Sequence, residues 1–327
     1  MKRLGLIVLA LVLCSPAGWA EALVPTVTRT VRATLGFSVS APQVVNPSWD
    51  VFLPRPPEIQ GRQAVISSTH PAGAVVEARG NAVYEINARG QGISGALEME
   101  IRLTGVELVE GWRASAVSGL TPGERARYLA ATRLYDFRSA EFRSWMRQRD
   151  LLRKSGEDDV ALGRRIFLFI KRAGHYEHTA EMDRISSHVA RSCTSDCGGL
   201  QILFGSVMRA NGVPFRALVG RWAQSARPDV GQYHVKGEFY ADRVGWVPVD
   251  LSSAVLFDRS EEGLRFFGQD PGNFIVLHFD PEVTLATRSF GPRTIDWLQG
   301  FVYWVNGGGT LQGSKAESTW TVNAAGN

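Results

Sequence analysis

The segment that most constrains the fold runs Ser192-Cys193-Thr194-Ser195-Asp196-Cys197-Gly198-Gly199 and on into an apolar pattern. Leu200, Leu203, Phe204, Val207 and Met208 recur at helical spacing. Asn211-Gly212-Val213-Pro214 then ends that helix, with Gly and Pro in the order expected of a stop. Phe215 to Gly220 reads as a strand. Cys197 therefore falls at or next to a helix N-terminus. Amides and the helix dipole favour a thiolate there. The same N–H groups can stabilise a developing oxyanion.

Further on, Tyr233-His234-Val235-Lys236-Gly237-Glu238-Phe239-Tyr240 precedes Gly245-Trp246-Val247-Pro248-Val249-Asp250-Leu251-Ser252. These read as two strands joined by a turn near Asp242 to Gly245. His234 begins one strand and Asp250 ends the next. In an antiparallel pair those ends lie side by side, so Asp250 could hold the imidazole and His234 could take a proton from Cys197.

These residues carry a family resemblance. Asp196-Cys197-Gly198, a helix, and Gly212-Val213-Pro214-Phe215-Arg216 resemble the nucleophile segment of the transglutaminase-like superfamily. The His234 to Tyr240 and Gly245 to Asp250 stretches resemble its His and Asp segments, and the expected helix over 158–173 matches the one that precedes its nucleophile. The resemblance is clearest over 158–252. It implies an α+β, papain-like core in which a helix bearing Cys packs on an antiparallel sheet bearing His and Asp. It implies Cys197, His234 and Asp250 as a catalytic triad acting on a protein or peptide substrate, with no metal or nucleotide cofactor. Gln63, Gly80-Asn81, Phe267-Gly268 and Gly272 to Leu277 are weaker echoes of flanking segments in bacterial members. One position departs: members often carry Trp two residues after the His, and here that residue is Lys236, a change read as bearing on the substrate groove.

The N-terminal part reads as β structure. Thr26 to Leu35 and Leu97 to Leu103 alternate, Ala64 to Ser68 and Ala82 to Ile86 are further short strands, and turn clusters such as Leu53 to Pro57 lie between them. Such punctuation suggests a β-sandwich. The character changes after Gly111-Trp112. A cap, a Pro and an acid at Thr121-Pro122-Gly123-Glu124 predict a helix over 121–133, and 136–154 reads as partly helical. The expected organisation is a leader over 1–20, a β-sandwich-like domain over 21–115, a transglutaminase-like catalytic domain over 116–306, and a loose tail over 307–327 rich in Gly, Ser and Thr.

Met1-Lys2-Arg3, an apolar run from Leu4 to Leu13, and small residues ending at Ala20 form a signal-peptide pattern that predicts a periplasmic or secreted protein. No later stretch is apolar enough to cross a membrane. Losing Lys2 and Arg3 with the leader leaves 34 basic against 32 acidic residues. That balance, without any basic block, argues against a nucleic-acid partner. Of three cysteines, Cys193 and Cys197 remain after export. They could pair in an oxidising compartment, which would silence the nucleophile.

Blander readings stand beside these. Cys197 could be a buried structural thiol, His234 a histidine satisfied within a sheet, and Asp250 a helix cap. Asp196 reads as a capping carboxylate. His175, His178, Asp183 and His188 complete no compact metal pattern, and 176–191 reads as a polar loop. Gly90 to Gly95 formally matches a dinucleotide fingerprint but precedes an alternating strand, so it reads as a turn. Trp222 and Trp246 read as core or cleft-lining aromatics. Two functions follow: a cysteine-dependent amide hydrolase or acyltransferase, or a non-catalytic scaffold of the cell envelope.

Overall fold

A computed structural model describes residues 21–110, 117–179, 181–225, 232–258 and 260–325. The expected leader and the Gly111-Trp112 boundary lie outside them. Six strands come first: β1 (Ala22–Ser40), β2 (Val44–Pro54), β3 (Gln63–Thr69), β4 (Ala74–Ala78), β5 (Asn81–Arg89) and β6 (Gly92–Val109). Helices α1 (Pro122–Tyr128), α2 (Ala140–Gln148) and α3 (Asp159–Ala173) follow, then β7 (His175–Tyr176), α4 (Ser186–Ser192), β8 (Thr194–Ser195) and α5 (Cys197–Ala210). Strands β9 (Phe215–Trp222), β10 (Tyr233–Ala241) and β11 (Gly245–Val249) lead to α6 (Leu251–Phe257). The chain ends through β12 (Gln269–Asp270), β13 (Phe274–Phe279), β14 (Val283–Thr287), β15 (Gly291–Ile295), β16 (Val302–Gly309) and β17 (Lys315–Ala324). The fold is mixed helix and antiparallel sheet, as expected, with an all-β N-terminal region.

Two sheets enclose the β core. One runs β12-β6-β1-β17 with β3 also on β6, and the other runs β16-β2-β5-β4. Alternate residues point inward, so Val31, Ala33, Leu35, Phe37 and Val39 of β1 meet Trp49, Val51 and Leu53 of β2. The tail expected to be loose beyond 307 instead completes this sandwich. β17 pairs with β1 from Val31↔Ala324 to Ser40↔Lys315, and β16 pairs with β2. Trp320 is 2% exposed and packs in the β core, burial worth roughly 2–3 kcal/mol. The polar residues around it face water from an edge strand, so composition alone resembled a coil. The β unit therefore draws on both ends of the chain rather than on 21–115 alone.

The second core centres on α5. Asp196 caps its start, accepting from the Gly199 N–H at 3.1 Å. Nearly the whole helix is buried, wedged between α3, α4, α6 and the sheet β11-β10-β9-β13. Gly205 and Gly237 leave room for the Phe215 ring, against which an added Cβ at either would clash. That close approach seats α5 on β9 and β10 around Leu203, Phe204, Phe215 and Phe239.

The two parts are stitched by side chains of the N-terminal strands. Gln63 bonds both backbone groups of Val276, each at 2.9 Å, and Asn81 does the same for Phe279 at 2.8 Å. Two expectations for the helical region are revised. The helix expected over 121–133 stops at Tyr128, beyond which Thr132, Arg133 and Leu134 turn toward Glu282. The polar stretch 176–191 is partly helical, as α4 begins at Ser186 where Asp136 accepts from the Ser186 hydroxyl and the Ser187 N–H.

Candidate active site

Three local devices converge at one end of α5. The helix places Cys197 in its first turn. The Gly199 N–H is taken by the Asp196 carboxylate and the Leu200 N–H by the Asp196 carbonyl. The N–H groups of Cys197 and Gly198 are the remaining donors at this helix end, and both residues line the cleft over it. Arg184 grips Asp196 with Nε at 2.9 and 3.0 Å and Nη2 at 2.6 Å, and His178 adds a contact at 3.2 Å. This fork geometry keeps Asp196 ionised. Burial works against the charge, but the Arg184 guanidinium and the Gly199 N–H hold the carboxyl below its usual range. Asp196 is thus a cap, as expected.

The second device is β10, whose register His234↔Gly220 and Tyr233↔Arg221 sets the imidazole beside β9. The third is the end of β11, where Asp250 caps α6 by accepting from the Ser253 N–H at 3.0 Å. His234 Nε2 and Asp250 Oδ2 lie 2.9 Å apart. The Ser253 hydroxyl donates to the same carboxylate oxygen at 2.8 Å. The Cys197 side chain lies near enough to add to the electrostatics of His234. The structure therefore brings His234 and Asp250 into contact, with the Cys197 side chain near the imidazole, and Asp250 is both cap and imidazole partner.

The electrostatics follow from this contact. Burial opposes a charge on His234, but Asp250 and the Cys197 side chain more than offset it, raising the imidazole to about 9. Burial likewise opposes a charge on Asp250, but the imidazolium, Lys236 and the Ser253 N–H hold it down at about 2. The pair is favoured as carboxylate and imidazolium.

A cleft of about 420 Å³ opens over this end of α5, lined by Tyr176, Arg184, Cys197, Tyr233, Trp297 and Gln299 among others. Sequence reasoning missed several of these residues. Trp297 lies against Gly198, where an added Cβ would strike its ring. Gln299 Nε2 donates to the carbonyls of Gly220 at 2.9 Å and His234 at 2.8 Å, pinning both strands at the imidazole. Neither residue lies in a motif, so no local signal could have found them. Tyr176, read as the start of a loop, pairs across from Ser195 and faces the cleft. Burial, with the nearby Cys197 and Asp196, pushes its hydroxyl up to about 12, so it remains a donor.

The other residues singled out in the sequence are placed as follows. Cys193 and Cys197 are both free thiols. Cys193 is buried in the main core within reach of the Arg149 charge, and burial pushes its thiol up. Trp222 stacks on His234, whereas Trp246 packs between Tyr128 and Tyr240 away from the cleft. His188 contacts Asp183, and among the described residues no group of three or more His, Cys, Asp or Glu side chains is placed to hold a metal. Lys236 does not reach the groove: it is 4% exposed, behind Trp222. Among the described residues, no helix is long and apolar enough to cross a membrane.

A solved structure agrees with this architecture. The structure of a candidate cysteine protease from Cytophaga hutchinsonii aligns over 93% of this chain and 92% of its own, with TM-score 0.56 and 13% identity, a likeness of fold. The periplasmic domain of TgpA from Pseudomonas aeruginosa aligns over 70% of this chain and 93% of its own, with TM-score 0.40 and 14% identity. No curated protein sequence matches the chain. The family model described as the transglutaminase-like superfamily matches residues 146–251, from the end of α2 to the start of α6. The residues matched by that model hold Cys197, His234 and Asp250.

Proposed function

We propose that the protein is an exported cysteine enzyme that hydrolyses amide bonds of peptide or protein substrates in the cell envelope. The observation that carries this reading is the buried His234–Asp250 pair set near Cys197, which lines a cleft at the start of α5. The Cys197 thiolate attacks the carbonyl carbon. The oxyanion that forms is met by the N–H groups of Cys197 and Gly198, with the Tyr176 hydroxyl alongside. The tetrahedral intermediate collapses, the C–N bond breaks, and His234 passes its proton to the leaving amine. A thioester remains. His234, now neutral, takes a proton from water as the hydroxide attacks, and collapse releases the carboxylic acid and restores the thiolate beside the imidazolium. Asp250 holds the imidazole in one tautomer throughout. If an amine enters in place of water, the same steps give acyl transfer.

The test is labelling of the purified mature protein with a thiol-reactive amide probe, followed by turnover of a peptide library with and without added amines. Labelling at Cys197, lost in Cys197→Ala and His234→Ala, supports the reading. An unlabelled Cys197 in a folded protein sinks it. Amine-dependent product in place of free acid would redirect it to acyl transfer.

A further inference from the structure

Position 236 is where the sequence departs from its family, and the structure puts that residue behind the imidazole rather than in the cleft. His234, Lys236 and Glu238 alternate along β10 and so share one face of the strand. The Lys236 ammonium lies 4.8 Å from the Trp222 ring centroid and 4.9 Å from that of Phe274. Those two rings also flank His234, at 4.6 and 5.9 Å. The ammonium is 3.6 Å from Asp270 Oδ1, and its charge reaches Asp250.

The charged groups around this face come from every element packed on it. Asp250 arrives from the α6 cap, Cys197 from α5, and Asp270 from β12. Arg62, just ahead of β3, bridges Asp270 at 2.7 Å and also contacts Glu238, which Arg216 of β9 grips from the other side. Among these, Asp250, Asp270 and Glu238 are matched by Lys236, Arg62 and Arg216 before His234 is counted. Removing one cation therefore leaves an uncompensated buried anion beside the imidazole, where screening by water is weak.

We propose that Lys236 is a positioning residue for the reaction: paired with Asp270 and set against the two rings that flank His234, its ammonium tempers the hold of Asp250 on His234 and so sets the upper pH limit of the working thiolate–imidazolium pair. The inference rests on the proposed function of the Cys197 site. A second cation near the carboxylate weakens the carboxylate's pull on the imidazolium proton. The proton can then be released to a leaving amine at a lower pH than Asp250 alone would allow.

The test is the rate of iodoacetamide alkylation of Cys197 in the full mature chain, measured against pH. The native protein should show an alkaline inflection near 9, where His234 deprotonates. Lys236→Met should move that inflection up by about one unit, and Lys236→Arg should return it. Asp270→Asn removes the carboxylate paired with Lys236 and should move it down, which keeps the proposal testable if Lys236→Met fails to fold. A change in overall rate with the inflection fixed in the folded variants would mark Lys236 as structural only and overturn the inference. A native profile without any alkaline inflection would instead overturn the reading of the Cys197–His234 pair, and this inference with it.

Discussion

The ring of Trp222 stacks on the imidazole of His234, with centroids 4.6 Å and planes 22° apart. The contact fixes the ring plane from one side while Asp250 fixes Nε2 from another. An indole face also attracts a cation, so it favours imidazolium. Trp222→Ala should therefore lower kcat/KM by up to about tenfold, the scale of one aromatic pair. It should also lower the alkaline inflection of Cys197 alkylation. Steady-state kinetics and the alkylation profile check both, and a profile identical to the native one would remove any electrostatic part for the indole.

Asp250 does two jobs that one substitution separates. Asparagine is as good a helix cap as aspartate, so Asp250→Asn should keep the Ser253 N–H satisfied and α6 in place. It removes the charge that stabilises imidazolium. Expected is a fall in kcat of about 10² to 10⁴-fold, with a thermal midpoint close to native. If activity survives at the native level, orientation by charge is not what Asp250 contributes.

The motif-bearing parts of this site were legible because their chemistry is local. A cap, a cysteine at the first helical turn and a Gly-Pro stop lie within Asp196 to Pro214, and the strand ends carrying His234 and Asp250 lie within a hairpin. Tyr176 was hidden because a two-residue strand leaves no periodic signal. Trp297 and Gln299 reach the site only because the chain returns after β15, a contact of long sequence separation that no window records. The burial of Lys236 was equally invisible. A lysine on a strand reads as solvent-facing until Trp222, Phe274 and Asp270 are seen to cover it. The pairing of β17 with β1 was missed for the same reason, since its partner lies nearly the whole chain away.

Gln299 is expected to matter through His234. Its amide satisfies two backbone carbonyls at the place where β9 and β10 present the imidazole. Gln299→Leu leaves both carbonyls without that donor, which should cost about 1–3 kcal/mol in denaturant unfolding. The strand ends should also loosen, so kcat should fall more than KM rises. A stability loss with kcat untouched would limit Gln299 to holding the sheet.

His278 gives the fold an acid limit distinct from the site. It is 1% exposed, and its Nε2 accepts from the Leu298 N–H at 3.0 Å. Protonation would set two N–H groups against each other, and burial already drives the imidazole down to about 4 from its ordinary 6.5. Because the unfolded chain takes up this proton at the higher pH, stability is intact above about 6.5 and declines as pH falls toward 4, by roughly 3 kcal/mol over that window. His234 has the opposite sign: its raised value contributes stability below 6.5 that is lost as pH climbs through about 9. Urea midpoints measured across pH should therefore fall on the acid side in the native protein and flatten there in His278→Gln, whose carbonyl can still accept from Leu298. An acid slope unchanged in that variant would place the proton uptake on other groups, because no neutral glutamine can titrate in that range.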